Sequence, residues 1–192
     1  MSESIHDHVA GNLRFIRETM ERASAFTSIP GWGGVGVGIT ALAAATYAHR
    51  VVYRPEWLRV WLIEAIVAAL IAGVTMLQKA RRANVSFNSP AARRFFVSYF
   101  APIIAGAGMT YLLANGGFRT ALPATWLLLY GASFISSGAF SIRVVPVMGV
   151  CFMLLGIAAC FVPIDLGNVL LGVGFGGLHV IFGFIIARSY GG

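Results

Sequence analysis

Glu64 and His179 are the only ionisable side chains set well inside the long apolar runs of this 192-residue chain. A carboxyl and an imidazole within hydrocarbon can relay a proton, hold a small ligand, or simply hold neighbouring helices. A charge at mid-membrane costs at least about 2.5 kcal/mol, which makes such residues functional candidates. The opposing reading is structural. Glu64 is then protonated or hydrogen-bonded, and His179 is neutral, with one nitrogen donating and the other accepting. Counted from Trp57, Glu64 lies roughly 10 Å deep; counted from Asp165, His179 lies roughly 20 Å deep, at 1.5 Å per residue. The expected gap of about 10 Å exceeds a hydrogen bond, so a relay between them needs water or a ligand.

No metal site is expected, and the sequence does not indicate a cofactor. Cys151 and Cys160 stand nine positions apart in one apolar run, on opposite sides of a helix, and read as small core hydrophobes. His6, His8 and His49 lie at the N-terminus or the end of the first run, and no Cys/His/Asp/Glu set has zinc spacing. No Ser–His–Asp arrangement stands out. GWGGVG (31–36) and GVGFGG (172–177) match G-x-G-x-x-G. Neither follows a strand, sits in a soluble βαβ unit or precedes a suitably spaced acid, so both are read as chance matches.

The elements that must position Glu64 and His179 belong to a very apolar chain. It is 58% hydrophobic and 11% charged, whereas soluble domains carry about a quarter charged residues. Lipid is the expected solvent. Six apolar runs, at 31–49, 57–78, 95–114, 121–141, 144–163 and 166–187, are each close to the ~20 residues that span a bilayer core. The fold expected is all-α: a six-span transmembrane bundle (31–192) preceded by an N-terminal segment (1–30). No cleavable signal peptide is expected, because the first 28 residues are charged and lack an apolar core.

Within that segment, residues 4–26 read as an amphipathic helix. Ile5, Val9, Leu13, Ile16 and Met20 form a stripe, Arg14–Glu18, Arg17–Glu21 and Glu18–Arg22 are (i, i+4) pairs, and Ser4 with Asp7 resembles a capping box. Its expected place is the membrane surface or the bundle itself; the sharper reading is docking to a partner protein or a second copy.

The net charge is +7, and 13 of the 14 basic residues are arginine. They gather between apolar runs, as in cytoplasmic loops, without a nucleic-acid recognition motif, so nucleic acid is not an expected partner. Arg14, Arg17, Arg22, Lys79, Arg81, Arg82, Arg93, Arg94, Arg143 and Arg188 fall on one side; Arg50, Arg54, Arg59 and Arg119 fall on the other. The excess places both termini in the cytoplasm. Trp57 and Trp61 are expected near one membrane interface and Trp32 near the other, as aromatic belts.

Gly34 and Gly38, Gly172 and Gly176, and Ser133 and Ser137 are small-xxx-small pairs. They are expected at helix contacts within the bundle or between copies, where small residues let backbones approach. Ser136, Thr110 and Tyr111 are further candidates for interhelical hydrogen bonds.

The stretches FTSIPGWGGVGVGITAL, LPATWLLLYGASFISSGAFSIRVVPVMG and FGGLHVIFGFIIARSYGG resemble a family of small, uncharacterised bacterial multi-pass membrane proteins, some encoded beside winged-helix regulators. The likeness runs over most of the chain from the first apolar run onward. It implies a bacterial inner-membrane location and brings no catalytic residue with it. Three functions are open. The leading expectation is a non-enzymatic sensor, regulatory or scaffold subunit. The next is a transporter or channel with Glu64 and His179 as its relay. The third is a membrane enzyme, or a cofactor or quinone carrier, centred on His179.

Overall fold

A computed structural model describes residues 25–191. Most of the expected helix 4–26, with its charge pairs, lies outside them. Its last two positions are not helical: Phe26 is extended and forms an isolated bridge with Ser141.

Six helices come after it, and they are the only extended secondary structure among the described residues. They are α1 (Gly31–Arg50), α2 (Glu56–Arg82), α3 (Pro90–Asn115), α4 (Leu122–Gly138), α5 (Val144–Ala159) and α6 (Ile164–Tyr190). A 3-10 turn, Arg119–Ala121, leads into α4. Helices α2, α3 and α6 are long and apolar enough to cross a membrane.

The chain's own residues set the helix ends. Asn84 stops α2 in the left-handed region (φ 52), and the Val85 N–H returns to the Ala80 carbonyl. Gly117 does the same for α3 (φ 81), with Phe118 N–H on the Leu113 carbonyl. Both are Schellman closures, which satisfy carbonyls that a helix end leaves open. Ser89 caps α3 by accepting from the Ala92 N–H, and Pro90 occupies the first turn, where its missing N–H costs nothing.

Hydropathy and helix limits differ in an informative way. Helices α2 and α3 run past their apolar stretches into Lys79–Arg82 and Arg93–Arg94, because arginine and lysine are good helix formers. Helices α4 and α5, with 17 and 16 residues, stop short of their runs. At about 1.5 Å per residue they reach roughly 25 Å, less than the ~30 Å hydrocarbon core. The residues after them turn the chain instead.

Helix α6 is the centre of the arrangement. It packs along α1 on one side and against the α4–α5 hairpin on the other; α2 leans on α1 and α3 on α4. Close backbone approach makes the α1–α6 and α4–α5 contacts. On α1, a Cβ at Gly38 would meet Val180 Cγ2 at 2.6 Å and the Gly176 carbonyl at 2.7 Å, and one at Gly34 would meet Gly183 Cα at 3.3 Å. On α6, Gly172 faces Ala45 and Gly176 faces Leu42. Between α4 and α5, Gly131 and Gly149 each abut the other's carbonyl, at 2.7 and 2.8 Å. Ser133 and Ser137 are fully buried on α4, and their hydroxyls bond back to the Tyr130 and Ser133 carbonyls of their own helix.

The bundle has two distinct ends. Gly31 lies against Ala187, and Lys79 Nζ donates to the carbonyls of Ile29 (3.0 Å), Tyr190 (2.9 Å) and Gly191. The start of α1 and the ends of α2 and α6 therefore meet. Phe26 joins them: its N–H donates to Phe140, its carbonyl accepts from Ser141 Oγ, and its ring packs among Phe87, Phe95 and Phe96. Arg81, Arg82, Arg93, Arg94, Arg143 and Arg188 belong to this end, while Arg50, Arg54, Arg59 and Arg119 belong to the far one.

Candidate functional site

Glu64 and His179 are both buried, and each is bonded to a neighbouring helix. Glu64 Oε1 accepts from Thr40 Oγ1 of α1 at 2.8 Å. That hydroxyl also lies 2.9 Å from the Val37 carbonyl and 3.3 Å from Gly36. One hydrogen cannot serve three acceptors, so a protonated Glu64 could donate to Thr40 while Thr40 donates to its own helix.

His179 Nε2 lies 2.9 Å from Tyr130 Oη on α4. The pair sits in an aromatic cage. The Tyr130 ring has Phe134 and Phe152 at 4.9 Å and Phe175 at 5.0 Å, and the imidazole lies 5.5 Å from Phe152. Nδ1 is buried and has no partner; the ring lies near the backbone of Gly174 and Phe175, but neither forms a well-oriented bond with that nitrogen. The local cause is a π-helical insertion at Gly172–Leu178, directly before His179. Its sequence, GVGFGGL, has four glycines. Three of them, Gly172, Gly174 and Gly176, let α1, α4 and α5 close around a widened turn: Gly172 and Gly176 against Ala45 and Leu42, Gly174 against Leu127 and Phe152. The extra residue per turn rotates the remainder of α6 and aims the imidazole at α4; such insertions concentrate at functional sites.

The two candidates are nearer in height than counting suggests. Glu64 bonds to Thr40 of α1, and Gly38, half a turn away, lies against Gly176 and Val180 of α6, on either side of His179, so the two side chains leave the helices within about one turn of each other in height. Their bonds nonetheless run to Thr40 and Tyr130, not to each other.

Sequence reasoning limited to ionisable groups missed Asn168. It is buried, and its Oδ1 accepts from the indole N–H of both Trp57 (2.9 Å) and Trp61 (3.0 Å), while Nδ2 donates to the Ala45 carbonyl at 3.1 Å. Helices α6, α2 and α1 are thereby tied at one point. Trp57 stacks on Trp126 (5.6 Å, 6°), whose own N–H donates to Thr110 on α3 at 2.8 Å. Trp57 and Trp61 are thus core anchors rather than an interfacial belt; Trp32 is exposed. The signal was a lone amide in an apolar run, which needs a partner as much as a charge does.

Ser136 bonds across to the Ser98 carbonyl of α3 at 2.9 Å. Tyr111 is exposed, and so is Cys160, which lies just beyond α5 rather than in a core. Among the described residues no three His, Cys, Asp or Glu side chains are grouped to hold a metal. Comparison of the chain with protein-family models, with curated proteins and with solved structures finds no match.

Proposed function

We propose that this is a bacterial inner-membrane protein that crosses the bilayer six times, with both termini in the cytoplasm, and acts as a sensor, regulatory or scaffold subunit rather than as an enzyme. The observation that carries this reading is the Phe26 clasp. The strand-like residues ahead of α1 are bolted by two hydrogen bonds and an aromatic cluster to the α2–α3 and α4–α5 connections. A shift of these connections would pull on the chain ahead of Phe26. In the sequence that is an amphipathic segment suited to a partner protein, a second copy or the membrane surface. The arginine-rich end being also the end where α1 begins and α6 finishes supports the orientation.

The transporter reading has less support, because Glu64 and His179 each close on a separate helix. The ligand reading centred on His179 keeps one point in its favour, the unpartnered Nδ1. The purified chain reconstituted alone in liposomes tests all three. The subunit reading expects no solute flux, no turnover, and no small molecule held at His179 or visible absorption band. Flux abolished by Glu64→Gln or His179→Ala would establish the transporter reading instead.

A further inference from the structure

The far end of the bundle holds a cavity of about 300 Å³ between the α1–α2 turn and the first turn of α6, lined by His49, Arg50, Tyr53, Arg54 and Asp165 with two valines. Two features make it more than a gap between loops. The turn is fixed: Val51 N–H returns to Ala48, Arg54 N–H to Val51 and Trp57 N–H to Arg54, with Val52 buried beneath. The cavity also carries both charge signs without joining them. Asp165 Oδ1 is closed off from solvent and has no hydrogen-bond partner, although two arginines line the same space. A carboxylate that makes no ion pair with either guanidinium beside it keeps its acceptor capacity for a ligand that brings donors.

We propose that this cavity binds an aminophosphate zwitterion. Arg50 and Arg54 take the phosphate, with donors from His49 and Tyr53 at the rim, and the Asp165 carboxylate takes the ammonium through the oxygen that is not sealed off. Guanidinium groups are matched to phosphate oxygens, and an ammonium has three donors for an acceptor that lacks one. Such a group can come from a phospholipid headgroup or from a soluble aminophosphate. If the helices cross the membrane six times, the cavity lies at headgroup level. The binding chemistry itself does not rest on that reading.

The full chain in detergent tests both sources. One arm measures by native mass spectrometry which lipid is retained from an equal mixture of phosphoethanolamine-headed and phosphoglycerol-headed lipids. The other measures the melting shift with phosphoethanolamine against inorganic phosphate. Preference for the amine-bearing lipid alone assigns the site to a headgroup; a shift with phosphoethanolamine beyond that with phosphate assigns it to a soluble ligand. In either arm Asp165→Asn should cut the preference roughly tenfold, the worth of one charge-assisted hydrogen bond. Arg50→Gln with Arg54→Gln should remove binding of both phosphates. The proposal is overturned if neither source binds, if phosphate without the amine binds as well, or if Asp165→Asn leaves the preference unchanged in a variant that melts like the wild type.

Discussion

Asn168 and His179 are eleven residues apart on α6, both buried, and treated oppositely by the helices around them. Asn168 has its oxygen shared by two indoles and its amide nitrogen on a carbonyl. His179 has one nitrogen on Tyr130 and the other on nothing. The backbone differs in the same sense: Asn168 lies in regular α-helix and His179 comes directly after a π-helical turn. A polar group with its main bonding positions filled fixes helices in place. One left partly open in an aromatic cage retains capacity to respond, because a donor or acceptor arriving at Nδ1 gains a partner that the folded chain does not supply.

The largest effect should come from Asn168→Leu, which strands two indole N–H groups and removes the second donor to the Ala45 carbonyl. We expect a loss of about 3 kcal/mol, read as a lower melting temperature in detergent with a shift in tryptophan emission. If this variant melts like the wild type, the structural half of the contrast is broken. Next is Gly38→Val, which presses against the α6 backbone at Val180 and Gly176. Overpacking there should cost about 2 kcal/mol, whereas Gly73→Ala, with nothing within 4 Å, should be neutral or stabilising by about 0.5 kcal/mol. Equal melting of those two variants would mean that α1 does not hold α6 as described.

Tyr130→Phe sharpens the contrast. It removes one hydrogen bond and keeps the ring in its cage, so about 1 kcal/mol should be lost. A loss as large as that of Asn168→Leu would make Tyr130–His179 another anchor. The smallest effect belongs to Glu64→Gln, within about 0.5 kcal/mol, because the amide can still bond to Thr40. A much larger loss would show that the carboxyl has work beyond that contact.

The six helices were legible because apolar runs of spanning length leave few alternatives, and arginine clusters mark where they end. Gly34, Gly38, Gly172 and Gly176 could be read as contacts from spacing, but not that they form one seam between the first and last helices. That pairing depends on a tertiary arrangement with no local trace. The His179–Tyr130 bond was hidden for the same reason: hydroxyls abound, and only the π-helical turn decides which one the imidazole meets. Phe26 carried no pattern, since its role comes from two distant connections that close on it. Asn168 was visible as a polar residue in an apolar run and was overlooked by weighing charge instead of hydrogen-bonding capacity.

The most direct measurement is a topology map of the full chain in bacterial cells, using single cysteines at Asn88, Gly117, Arg143 and Gly191, all exposed, on a background lacking Cys151 and Cys160, probed with a membrane-impermeant thiol reagent. The account predicts that only Gly117→Cys is labelled from outside, and that the cysteines at Asn88, Arg143 and Gly191 react after the membrane is opened. Labelling of Asn88→Cys or Gly191→Cys in intact cells, or recovery of the chain in the supernatant without detergent, would contradict it.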